Sequence, residues 1–277
     1  MRIVEQYIQG KTGRLERCED DLILTEDFIC VIDGVTSKSS FTQHGRTTGQ
    51  LAVDLIKQAI LQFPKDVECA EAIERLTVSI KTFYRDNQMV ERCRAHPSER
   101  LAACAIIYSV FHHQVWIIGD CQCLVDNKLY TSPKLVDDVI AEARALYLAT
   151  ELDNGKTVDE LIEHDTARAY VLPLIKRAMY YQNSDGDERY SFPVLDGFAV
   201  NVNQVKVIEL DANVRHIVLA SDGYPKLFNT LAESEQYLQQ VLATDPLCYK
   251  QFKSTKGITK GNASFDDRTY VRVAFHE

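Results

Sequence analysis

Four times in this chain an apolar, strand-like run meets acidic residues at its end. Residues 28–32 run into Asp33-Gly34, and residues 115–118 run into Gly119-Asp120. Residues 217–220 pass through Ser221 into Asp222-Gly223. The pair Asp266-Asp267 stands just ahead of another such run at 269–273. One Asp-Gly after a strand is an ordinary turn. Four acidic strand ends are more constraining. If they converge, they form a cluster of oxygen ligands suited to a hard divalent cation. A fold that uses them this way must bring the ends of several strands to one edge.

The segments between these runs give the fold class. Residues 2–9 alternate as a first strand, and 22–24 with 28–32 read as a hairpin. Over 47–63, Leu51, Val53, Leu55, Ile56, Ala59 and Ile60 fall at helical spacing, and Pro64 closes the helix. A second helical pattern spans 67–90 with Ala70, Ile73, Leu76, Ile80, Phe83 and Tyr84. Residues 101–110 read as a buried strand. Residues 113–119, 121–125 and 129–130 read as a meander. Helices follow at 134–149 and 157–181, with Pro173 a kink or break in the second. Strands at 205–210 and 216–220 are joined by a short polar turn. Residues 224–253 read as mostly helical, and 269–275 as the last strand. Antiparallel-looking strand runs with paired helices between them indicate an α+β fold. No repeat, low-complexity segment or linker divides the chain, so 1–277 reads as one domain.

Composition removes several classes of function. A formal net charge of −9 and a pI near 5.3 argue against nucleic acid and against an anionic membrane surface as partners. None of the eight cysteines forms a Cys-x-x-Cys pair, and several sit in apolar runs. They read as reduced thiols of a cytoplasmic protein. The N-terminus lacks the shape of a signal peptide, and the longest apolar run, 101–111, is too short to span a bilayer. His112 and His113 are adjacent on a strand pattern and would face opposite ways, so they do not share an ion. His44 and His164 have no partner at ligand spacing. Asp196-Gly197 reads as a plain turn, with a loop near the acidic site as the alternative, and Tyr180-Tyr181 as packing. Oligomeric state is not encoded in these features.

The order of the acidic pieces resembles the metal-dependent protein phosphatases of type 2C, the PPM family. The pieces are Cys18-Glu19-Asp20, Val31-Ile32-Asp33-Gly34, Ile117-Ile118-Gly119-Asp120, Leu219-Ala220-Ser221-Asp222-Gly223 and Ser264-Phe265-Asp266-Asp267-Arg268-Thr269. The resemblance spans nearly the whole chain. It implies an α-β-β-α sandwich of two mainly antiparallel sheets flanked by helices, with two or three Mg²⁺ or Mn²⁺ ions at one edge. Asp33 would bridge two ions. Glu19 and the Gly34 carbonyl would serve one, and Asp222 and Asp266 the other. Asp120 matches a ligand of a third, looser ion. The implied reaction removes phosphate from phosphoserine or phosphothreonine of a protein. The nucleophile would be a metal-activated water, so no side chain is expected to attack.

The chain departs from that pattern in four places. Val35-Thr36-Ser37 replaces the His-Gly-Gly that often follows the Asp-Gly. The position of the phosphate-gripping Arg is Leu15, with Arg14 and Arg17 nearby; Arg14 is the candidate. Residues 101–105 lack the usual Gly-Thr. Asp267 replaces an Asn, which leaves Asp266 and Asp267 as alternative ligands. These departures keep two other readings open: an inactive relative serving as a regulatory binding module, and a phosphatase of small phosphomonoesters.

Overall fold

The computed structural model describes residues 1–275. Ten strands build two five-stranded sheets in which every pairing is antiparallel. One sheet holds β2 (Asp20–Leu24), β3 (Phe28–Gly34), β4 (Ala103–Ser109), β5 (Gln114–Ile118) and β8 (Lys206–Glu209), in that order. The other runs β1 (Arg2–Gln9), β10 (Arg268–Ala274), β9 (His216–Ala220), β6 (Gln122–Val125) and β7 (Lys128–Tyr130).

Strand β3 shows why the sheets stack. Successive side chains on a strand face opposite ways. Ile29 and Val31 point between the sheets, where they pack with Ile106, Ile217, Leu219 and Val271. Phe28, Cys30 and Ile32 point outward to α1 (Thr48–Ile60) and α2 (Cys69–Asp86), meeting Ile56, Leu76 and Ile80. A strand covered on both faces is apolar throughout, as β3 is until Asp33. Helix α1 begins at a capping box: Thr47 accepts from the Gln50 amide, and the Gln50 side chain accepts from the Thr47 amide at 3.2 Å each. Tyr7, Tyr224, Leu227 and Tyr270 cover the outer face of the second sheet ahead of α7 (Leu231–Thr244). The result is the expected helix–sheet–sheet–helix sandwich. A short α3 (Val90–Ala95) leads from α2 back to β4.

Five local expectations are corrected. The meander is a crossover: β5 and β6 lie in different sheets, and the chain passes between them at Gly119-Asp120. Gly119 sits at φ +93, and a Cβ there would lie 2.2 Å from Cys104 Sγ, so the crossing needs glycine. Strands β8 and β9 likewise divide between the sheets. The helical stretch 157–181 breaks at His164-Asp165, because the Asp165 carboxylate caps a new helix by accepting from the Arg168 amide at 2.7 Å. This gives α5 (Val158–Glu163) and α6 (Thr166–Ala178), with Pro173 accommodated inside α6. Within 224–253 only α7 is an α-helix. Helix α4 (Leu135–Asp153) runs beyond its expected end.

All eight cysteines are free thiols. Among the described residues, no helix is long and apolar enough to cross a membrane.

Candidate metal centre

Antiparallel pairing gathers the acidic strand ends. The C-terminal end of β3 lies beside the N-terminal ends of β2 and β4, with Asp33 opposite both Asp20 and Cys104. The C-terminal end of β9 lies beside the N-terminal ends of β10 and β6: Ala220 pairs with Tyr270 and with Gln122. Asp222 follows β9, Asp266 precedes β10, and Asp120 sits on the crossing between the sheets. Because Ile29, Val31 and Asp33 alternate onto one face, Asp33 emerges at the seam between the sheets. Carboxylate oxygens of Asp33, Asp120 and Asp222 all lie within 4.8 Å of one another. The Asp222 amide approaches Asp33 Oδ2 at 3.5 Å. These three, with Gly34 and Asp266, line a cavity of about 390 Å³. Gly34 donates its amide to the Glu19 carbonyl at 2.9 Å, and a Cβ at Gly34 would stand 2.3 Å from that oxygen. Only glycine lets β3 approach Glu19 so closely.

Lysines meet part of this negative charge. Lys134 Nζ stands 2.6 Å from Asp120 Oδ2, and Lys256 pairs with Asp266. Lys11 Nζ lies 2.7 Å from Asp267, 3.2 Å from Glu19 and 3.8 Å from Asp266. The carboxyl groups divide accordingly. Burial pushes Asp120 up, but the Lys134 charge, together with hydrogen bonds from Cys104, Lys134 and the backbone, holds Asp120 below its ordinary range. Lys256 and Lys11 do the same for Asp266 against its burial. Asp33 and Asp222 have no ammonium partner within ion-pair distance among the described residues. Burial, then the charges of neighbouring aspartates, raises both well above the ordinary carboxylate range.

Glu19 is buried and does not line the cavity. Its Oε1 accepts from the Thr47 hydroxyl at 2.6 Å while its Oε2 faces Lys11. Asp267 accepts from the Lys11 amide at 2.7 Å and from the Glu19 amide at 3.3 Å, so both its oxygens are engaged. Of the two alternatives, Asp266 is the one at the cavity wall. Asp20 is buried and accepts from the Thr269 hydroxyl at 3.0 Å. Arg14 is exposed and is not among the lining residues. Asp196 is fully buried against Arg100 at 2.8 Å, a structural pair away from the acidic cluster. The sequence reading missed the lysines. A signal was present, since an acidic cluster of this size calls for counter-charges, but it does not say which of many lysines supply them.

The donor set fits a hard divalent cation. Its carboxylates are ligands that Mg²⁺ and Mn²⁺ favour. Cys104 and Cys121 lie beside it, but burial and the neighbouring aspartates push both thiols well up. They stay protonated and are poor ligands. Asp33 and Asp222, two of the expected ligands, have no lysine partner among the described residues.

No protein-family model and no curated protein matches the chain. Solved structures do. The Mycobacterium tuberculosis serine/threonine phosphatase PstP/Ppp matches over 99% of both chains at 14% identity, with a TM-score of 0.46. The Staphylococcus aureus serine/threonine phosphatase Stp1 matches over 100% of this chain and 96% of its own, at 14% identity and 0.46. RsbX in complex with magnesium matches over 98% of this chain and 97% of its own, at 11% identity and 0.45. At these values the likeness assigns the chain neither an activity nor a ligand.

Proposed function

We propose that the chain is a single-domain, cytoplasmic Mg²⁺- or Mn²⁺-dependent phosphomonoester hydrolase acting on phosphoserine and phosphothreonine of proteins. The observation that supports this most is the convergence of Asp33, Asp120 and Asp222 oxygens within 4.8 Å in an accessible cavity, with two of the three lacking a counter-ion. Charge supports the same reading. Seven carboxylates gather here: Glu19, Asp20, Asp33, Asp120, Asp222, Asp266 and Asp267. Three ammonium groups pair with them.

In this reading Asp33, Asp120, Asp222 and Asp266, with Glu19 and the Gly34 carbonyl, would hold the ions. Bound ions would polarise the phosphate oxygens and lower the pKa of a coordinated water. The chain's own residues do the rest. The β-strand ends fix the carboxylates, Thr47 orients Glu19, and Thr269 orients Asp20. Lys134 and Lys256 keep Asp120 and Asp266 ionised.

The test is hydrolysis of an aryl phosphate and of phosphopeptides in EDTA, Mg²⁺ or Mn²⁺. Metal-dependent turnover that Asp222→Asn abolishes supports the proposal. Folded, metal-loaded protein inert on both substrates refutes it. Turnover of small phosphomonoesters but not phosphopeptides would refute the protein-substrate half alone.

One observation favours a second reading, a non-catalytic binding module. Lys11 places an ammonium among Glu19, Asp266 and Asp267, where a cation would otherwise neutralise them. Divalent-ion titration separates the readings: the module predicts no stoichiometric Mn²⁺ binding until Lys11 is removed.

A further inference from the structure

The cavity has a second wall of opposite charge. Lys38 from the loop after β3, Arg168 from the first turn of α6 and Lys256 from the loop before β10 all line it, facing the space that Asp33 and Asp222 also line. Lys256 is accounted for by Asp266. The other two are not. Among the described residues, neither Lys38 nor Arg168 has a carboxylate within ion-pair distance. The Lys38 ammonium donates only to the Thr36 carbonyl. Arg168 donates Nη1 to the Thr255 carbonyl at 2.7 Å, and its Nε and Nη2 make no hydrogen bond within the described residues.

Cations that share a cavity repel one another, and partial burial costs each of them hydration. Burial, then the charges of Arg168 and Lys256, lowers Lys38 to about 7. Burial and the Arg144 charge lower Arg168 as well. An arrangement that is costly when empty becomes favourable when an anion enters. A guanidinium with two free donors and an ammonium beside it suit the oxygens of a phosphate dianion. The acids opposite would repel such an anion unless cations lie between them, so the two walls are complementary halves of one site.

We propose that Lys38 and Arg168, with Lys256 behind them, form the phosphate-binding wall of this cavity, taking the place that Arg14 was expected to fill. The assignment rests on the phosphatase reading for the identity of its ligand. It names positions that carry no acidic motif and lie outside the segments of the family resemblance.

The test is titration of inorganic phosphate into wild-type protein, Lys38→Met and Arg168→Met by calorimetry, in EDTA and again with Mg²⁺. Lys38→Arg and Arg168→Lys, together with circular dichroism, control for folding. Each Met variant should weaken phosphate binding about tenfold or more, the loss of one charge-assisted hydrogen bond, and Lys38→Arg should stay near wild type. For the hydrolysis reaction, KM should rise more than kcat falls. Phosphate binding unchanged in both Met variants, or absent in the wild type, overturns the wall whether or not the protein hydrolyses phosphoesters. Phosphate binding lost in the variants of a protein that hydrolyses nothing upholds the wall and refutes the hydrolase.

Discussion

Lys11 carries one ammonium into contact with three carboxylates, and its side chain is only 18% exposed. Removing one partner of a buried ion pair strands the other, at a cost near 3–5 kcal/mol. Lys11→Met in EDTA should therefore lose about 3 kcal/mol, the lower end because Lys11 keeps some solvent. Urea unfolding measures it, and Mn²⁺ should restore part of the loss by taking over the ammonium's charge. An unchanged urea midpoint would mean that Glu19, Asp266 and Asp267 do not depend on Lys11. Lys38 makes a pH prediction of opposite character. Its folded-state value is lowered to about 7, while an unfolded lysine titrates near ~10.4. Between these values the unfolded chain holds the proton and the folded one does not, so stability climbs with pH across that window. Below about 7 both states are protonated and the full cost of the buried charge is present. Arg168 and Lys256 add to that cost, while Glu19 and Asp266 oppose it. Lys38→Met should thus raise the melting temperature most under mildly acidic conditions and least in alkali. Phosphate affinity should fall as pH rises through neutrality in the wild type but not in Lys38→Arg. A melting-temperature difference that is flat with pH would remove Lys38 from the cationic wall.

At the scale of elements, what could be read from sequence was the short apolar run that ends at an acid. β3 alternates its faces until Asp33, so both the strand and the position of its acid follow from the order of residues. The acid after β9 and the pair before β10 are legible for the same reason. The crossover at Gly119-Asp120 was not legible, because a tight hairpin and a passage between sheets use the same small and acidic residues. What decides is the pairing of β6 with β9, whose residues come about a hundred positions later. The Lys11–Asp267 contact, 256 residues apart, is invisible to any local pattern. Arg144 is a missed signal of another kind, an arginine in the middle of the apolar face of α4. It is fully buried. It donates to the carbonyls of Leu247 at 2.8 Å and Ser254 at 3.1 Å, and pairs with Asp165 at 2.6 Å. Asp165 caps α6 one turn before Arg168, and Ser254 lies two residues before Lys256. Arg144 therefore ties together the two segments that supply the cationic wall. Arg144→Met should cost about 3–5 kcal/mol, because Asp165 and the carbonyls lose a buried partner. It should also weaken phosphate binding without touching the cavity. Unfolding measured beside phosphate titration checks both, and a stable variant with intact phosphate binding would show that the wall is held by other contacts.

Across the whole molecule, charge is distributed unevenly, and divalent ions should act on stability as well as on any reaction. The chain carries a net −9, and seven of its carboxylates converge at one edge of the sandwich against three paired lysines. The folded state without ions concentrates like charge that the unfolded chain disperses. Ions that bind the folded form alone stabilise it by mass action, by about 2.7 kcal/mol for a site at one hundred times its dissociation constant. Mn²⁺ or Mg²⁺ should therefore raise the melting temperature in a saturable way that EDTA reverses, and Asp33→Asn should abolish most of the rise. Asp33 is the informative choice because it is one of the three converging carboxylates and has no lysine partner among the described residues, so its removal relieves repulsion in the ion-free protein. Asp33→Asn should melt at or above the wild type in EDTA and below it in excess Mn²⁺. A structural carboxylate would destabilise under both conditions when replaced, whereas a ligand whose only missing partner is a cation inverts the order. If the two melting curves keep the same order with and without metal, Asp33 is part of the scaffold and the acidic edge is not an ion site.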